Sequence, residues 1–164
     1  MKRLLMVCAL LLGVTMAKAQ EISIFDFAYA VVDEDDYSVT FETYSVNDCL
    51  ANLIDKGFQV VRSEKFTYIG AGEFEYVGHE RELRKVDSRG NSTTVLLLDV
   101  PDSIKFSDGM DMIYFMRSCA ESGLFIPEDK TYYHLRDYVS YGFGIYGVHF
   151  NYETYEVSFD VDVP

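Results

Sequence analysis

The densest chemical signal in the chain is Gly142-Phe143-Gly144-Ile145-Tyr146-Gly147, which matches the spacing G-x-G-x-x-G. In a dinucleotide site that spacing works because a strand ends in it and a helix begins, aiming free amides at a pyrophosphate. Here Val148 to Tyr152 has strand character and no helix follows. The run is therefore read as a glycine-bearing strand whose bare backbone is covered by aromatic side chains from a neighbouring strand. No cofactor is expected. His79-Glu80 lacks a second histidine four residues after His79, and His134 and His149 fall in other expected strands, so no metal site is expected. Asp33-Glu34-Asp35-Asp36 offers oxygens for calcium, but Tyr44 stands where a calcium loop needs its distal glutamate. It reads as a solvated acidic turn. The chain has no G-x-S-x-G and no phosphate loop, and nothing singles out a catalytic carboxylate pair among its 27 acidic residues. Asn91-Ser92-Thr93 is an N-glycosylation sequon in a polar loop.

Tyrosine carries more information. Tyr132, Tyr133, Tyr138, Tyr141, Tyr146, Tyr152 and Tyr155 crowd into one short region, in a chain with no tryptophan. Tyrosine is rigid and amphipathic and is enriched at recognition surfaces. Part of this set must fill the core by alternation. The residues expected to form an aromatic binding surface are Tyr132, Tyr138, Tyr141, Phe143 and His149. Cys49 and Cys119 remain outside the N-terminal segment. A bridge between them is within reach if their helices pack antiparallel, and both also suit apolar helix faces as free thiols.

The elements that position these residues follow from periodicity. Asn47 to Lys56 is expected to be helical. Ser45 and Asp48 are spaced as a capping box, and Val46, Cys49, Leu50, Leu53 and Ile54 form one apolar face. A second helix starts at Ser107 or Asp108 and runs to Ser122, with Met112, Phe115, Met116 and Cys119 on its apolar face. Gly57 and Gly123 suit the left-handed caps of the two helices. Strands are expected at 22–32, 38–43, 58–61, 65–69, 73–79, 81–86, 93–100, 103–106, 132–139, 143–152 and 155–163. The last alternates most clearly, with Tyr155, Val157, Phe159, Val161 and Val163 on one side and acidic or polar residues on the other.

An internal repeat organises these elements. Ser38-Val39-Thr40-Phe41 aligns with Ser103-Ile104-Lys105-Phe106, Tyr68 aligns with Tyr133, and Asp99-Val100-Pro101 returns as Asp162-Val163-Pro164. The expected fold class is α+β, with two tandem strand–helix–strands repeats forming an antiparallel sheet that carries two helices on one face. The expected divisions are a cleaved signal peptide at 1–19, an N-terminal strand and acidic turn at 20–36, repeat one at 37–101 and repeat two at 102–164. This outline is similar to that of some secreted inhibitor proteins, on architecture alone, since no motif identifies a family.

Lys2 and Arg3, the apolar run Leu4 to Val14 and Ala17-Lys18-Ala19 have the form of an export signal, with Gln20 as the new N-terminus. The run of 11 residues is too short to span a bilayer, which needs about 20. Removal of 1–19 leaves 11 basic and 27 acidic residues, a net charge of −16. Such a surface repels phosphate backbones and anionic headgroups. The expected partner is therefore a protein, with no nucleic acid and no membrane for the mature form, in a periplasmic or extracellular location. The expected function is a non-enzymatic, inhibitor-like binding module. The alternatives are a small exported hydrolase using carboxylates and a structural envelope subunit that completes another chain's sheet.

Overall fold

The computed structural model describes residues 21–32, 35, 39–69, 75–136 and 144–162. The fold is mixed α+β, and the described residues form two helices, an antiparallel sheet of eight strands and a separate antiparallel pair. The expected signal segment, most of the acidic turn and the turn at Gly70-Ala71-Gly72 lie outside the described residues.

The described chain opens with a 3-10 turn, Ile24–Asp26, where a strand was expected. The Asp26 carboxylate causes the change. It accepts from Ser23 N at 2.7 Å and from Lys56 Nζ at 2.7 Å, which ties the turn down and leaves Ile24 and Phe27 in the core. Strands β1 (Ala28–Val32) and β2 (Val39–Thr43) follow and, among the described residues, pair only with each other. Helix α1 (Val46–Asp55) begins at Ser45, whose Oγ accepts from Asp48 N at 3.2 Å. It ends at Gly57, which takes φ 87°, the left-handed value that glycine adopts at no steric cost.

Next comes a long hairpin, β3 (Gln59–Ile69) and β4 (Glu75–Val86). The sequence suggested four short strands here because polar runs interrupt the apolar ones. Instead, Arg62 pairs across and along the strands with Glu80, Glu82 and Glu64, so the polar run stays in the ladder. The interruption survives as a register shift between Val60 and Arg62, which leaves Val61 as a bulge. Strand β5 (Ser92–Leu97) returns along β4, and β6 (Pro101–Phe106) returns along β5.

Helix α2 (Gly109–Glu121) begins at Asp108, whose carboxylate accepts from Met110 N at 2.7 Å. Strand β7 (Phe125–Pro127) was not expected. It closes against β8 (Tyr132–Leu135) once Pro127 and Glu128-Asp129 have turned the chain. Strands β9 (Gly144–Asn151) and β10 (Glu156–Asp162) complete the large sheet, in the order β3-β4-β5-β6-β10-β9-β8-β7. Tyr155 was expected within the last strand. It lies in the β9–β10 turn at φ 53°, and Asn151 Oδ1 holds that turn by accepting from Glu153 N and Thr154 N.

One core joins the layers. Leu53 of α1 and Met112 and Phe115 of α2 meet Leu83, Val95, Ile104, Val148 and Val157 of the sheet. Phe115 stands edge-on to Phe27 and Phe159. Burying these rings and branched chains contributes roughly 2 kcal/mol each. The two cysteines are free thiols in this core, not a bridge. Cys49 Sγ faces the carbonyls of Phe27 and Tyr44 at 3.8 and 3.7 Å, whereas Cys119 is fully buried on the inner side of α2. Each thiol is thus enclosed by its own neighbours.

Candidate binding surface on the large sheet

The candidate surface is built by cross-strand pairing. Register sets Tyr132 of β8 directly against His149 of β9, and His149 directly against Ser158 of β10. Directly opposed residues share a face. The Tyr132 and His149 rings stack at 4.3 Å between centroids, with their planes 23° apart. Asp160, two positions along β10 from Ser158, meets His149 Nε2 at 2.9 Å. The His149 side chain remains 49% exposed and that of Asp160 34% exposed, so the group lies at a wet surface.

Gly147 makes the stack fit. A Cβ on this residue would lie 2.7 Å from Tyr132 Cε2 and 2.8 Å from Asp160 Oδ2. The glycine therefore gives the tyrosine ring a bare strand to lie on, as the G-x-G-x-x-G run suggested. Burial and the nearby Asp160 charge raise the Tyr132 pKa above the usual phenol value. Beside His149 a shallow depression is bordered by Asn151, Tyr152, Glu153, Glu156 and Ser158. Tyr152 Oη anchors its edge by donating to Lys130 O at 2.5 Å.

Of the five residues expected here, Tyr132 and His149 come together. Tyr138, Tyr141 and Phe143 lie outside the described residues. Asp160 was missed as a member of the group. Alternation along β10 places it on the polar side, but only the register with β9 reveals its contact with His149. Tyr133 belongs to the core side, where its ring meets Phe150 edge-on at 5.2 Å. The sequon Asn91 donates through Nδ2 to Asp108 Oδ2 at 3.2 Å, so the amide that a glycan would need is engaged in tying a turn to α2.

The group offers an aromatic stack, hydrogen-bond acceptors and negative charge on an open face. Such a surface suits contact with a partner's aliphatic and cationic side chains. Among the described residues, no cluster of three or more His, Cys, Asp or Glu side chains is placed to hold a metal ion. Nor does any helix among them have the length and apolarity to cross a membrane. Comparison with known proteins gives no match among family models, curated proteins or solved structures.

Proposed function

We propose that the protein is an exported, non-enzymatic binding module that engages a basic protein partner through the sheet surface around Tyr132 and His149. The stacked Tyr132–His149 pair carries this reading, because a rigid aromatic pair held by Asp160 at a wet surface presents contact area with little left to order on binding. The charge of the chain, −13 over its full length, favours a cationic partner and speeds its approach.

The tandem repeat belongs to the same proposal. Phe66 of β3 lies against Gly78 of β4 with Asp99 on the far side, as Tyr132 lies against Gly147 with Asp160 on the far side. Phe66 and Tyr132 stand 66 positions apart, one more than the offset of 65 that pairs Tyr68 with Tyr133, so the likeness is one of arrangement and lies out of register with the sequence repeat. In this reading the helices gather on the opposite side of the sheet and leave these two aromatic positions facing out.

The structural-subunit alternative needs an edge open to another chain's strand. Edge strand β3 carries a bulge at Val61 and charged Arg62, Glu64 and Lys65, while edge strand β7 has three residues and ends in Pro127. Both are devices that discourage strand addition, so the surface reading is favoured over sheet completion.

The test is crosslinking capture from the native exported fraction, followed by mass spectrometry. A reproducible basic partner, with affinity lost at least tenfold in a Tyr132→Ala/His149→Ala double variant that keeps its Tm, is expected. A partner retained at full affinity by that variant would overturn the assignment of the surface.

A further inference from the structure

The β3–β4 hairpin is two-faced in charge. Register sets Ser63 of β3 directly against Arg81 of β4, and Lys65 directly against His79. Directly opposed residues share a face, and alternation puts both pairs on the same one, roughly 7 Å apart along the strands. A hydroxyl and a guanidinium make one pair, an ammonium and an imidazole the next. Each of the four side chains can present an N–H or O–H to the same space.

The nearby acids lie elsewhere. Glu64, Glu80 and Glu82 stand on the opposite face, where Arg62 pairs with all three. Asp99 Oδ1 accepts from the backbone amide of His79 at 3.3 Å, and its Oδ2 lies against Gly78 on that opposite face. Glu75 shares the face of the four donors but begins β4, about 13 Å from His79 along the strand. Among the described residues, no ion pair reaches Lys65, His79 or Arg81.

The four donors stand at the margin of the core. Leu97, opposite Arg81 on β5, and Leu83, two positions along β4, are fully buried. Ser63 and Lys65 are exposed, and His79 and Arg81 are half-buried. Arg81 Nη1 is shut off from solvent and has no hydrogen-bond partner among the described residues. A buried donor without an acceptor costs stability, and like charges in direct opposition repel. An oxyanion on this face relieves both. It answers the cations and gives the guanidinium fork acceptors to turn toward. The chain's net charge of −13 does not prevent this, since physiological salt confines the field of distant carboxylates to about 8 Å.

We propose that Ser63, Lys65, His79 and Arg81 form a binding site for a phosphate- or sulfate-type oxyanion, free or carried on a small organic molecule. The site lies toward the other end of the sheet from Tyr132 and on its other face, so it stands or falls separately from the partner surface.

The test is a nuclear magnetic resonance titration of inorganic phosphate into the purified protein at constant pH and ionic strength. A melt alone would not do, because phosphate raises Tm by exclusion from any protein surface. One saturable set of amide shifts centred on residues 63–65 and 79–81 is expected, with half-saturation at roughly 1–10 mM. Lys65→Met/Arg81→Met keeps both aliphatic stems and should weaken binding about tenfold or more, the scale of lost charge-assisted contacts. Lys105→Met, at an exposed position of β6, should leave it unchanged. Phenyl phosphate is the second probe, since exposed Val77 and Ile69 continue the same face. Tighter binding than inorganic phosphate would assign an esterified ligand, and equal or weaker binding the free anion. Shifts centred elsewhere, or no saturation by either probe up to about 100 mM, would overturn the proposal, and this wild-type readout decides even if the double variant folds poorly. Wild-type affinity in a folded double variant would overturn it as well.

Discussion

Gly78 and Gly147 lie beneath the same two kinds of neighbour, an aromatic ring from one side and a carboxylate from the other. At Gly78 these are Phe66 and Asp99, and at Gly147 they are Tyr132 and Asp160. The layers beneath differ. Val148, Phe150 and Val157 are buried around Gly147. Around Gly78, Val77 is 55% exposed and Ile69 77% exposed, because the β3–β4 hairpin extends past the core. The ladder and the Arg62 ion pairs hold that hairpin, and exposed pairs of this kind contribute at most about 1 kcal/mol. A covered glycine can thus be built by cross-strand pairing alone, whereas the rigidity of the ring above it depends on the core below and on the ring's own partners.

Substitution of the two glycines by alanine separates these effects. In Gly147→Ala the new methyl group must displace Tyr132, which is held by His149, and crowd Asp160. A loss of about 2 kcal/mol is expected, read as a fall in Tm of several degrees, together with loss of the Tyr132–His149 stack. In Gly78→Ala the new methyl group crowds Phe66 and Asp99, but the hairpin that carries them extends past the core and can give way, and alanine is the better strand residue, so the net loss should stay below about 1 kcal/mol. Thermal melts of the pair decide it, and equal losses would sink the claim that the core sets the difference.

Much of this arrangement was legible in the sequence where a single element fixes it. Ser45 announced one helix start and Ser107 or Asp108 the other, and Met112, Phe115 and Cys119 announced the buried face of α2, because capping and 3.6-residue periodicity are local properties. The strand character of Gly144 and Gly147 was local too. Register was not. Nothing in the chain before folding says that β6 pairs with β10 as well as β5, or that Asp160 meets His149. Polar interruptions also misled. Arg62-Ser63-Glu64 reads as a break until Glu80 and Glu82 arrive from the neighbouring strand. Tyr155 kept the alternation of β10 but was taken by the turn that Asn151 closes.

The thiols extend the comparison to the two helices. Burial, chiefly, raises the Cys49 pKa to about 12, and burial raises that of Cys119 as well. The thiolate is the reactive form, so both should resist labelling in the folded protein at pH 8 and both should label in unfolded, unreduced protein. If only the folded protein is inert, both cysteines are enclosed as free thiols. If the unfolded protein also fails to label, they are bridged. Both thiols are fully buried, so labelling of either should begin only as denaturant loosens the fold.

The smallest effect expected is alkaline, and it belongs to the second glycine alone, since Phe66 has no hydroxyl. The folded-state pKa of Tyr132 is raised by burial and then by the Asp160 charge. A group whose pKa is higher in the folded state contributes stability that is fully present below its unfolded value, about 10, and is lost as pH rises through the folded value. Stability should therefore decline above about pH 10, and Tyr132→Phe should reduce that decline while leaving the melt at pH 7 nearly unchanged. Asp160→Asn should bring the Tyr132 phenol part of the way back toward its ordinary pKa, visible as earlier ionisation in the ultraviolet titration. Burial, the first cause, would still hold the remainder. An alkaline limb of the same depth in Tyr132→Phe would assign the titration to other tyrosines and remove Asp160 from the electrostatics of the stack.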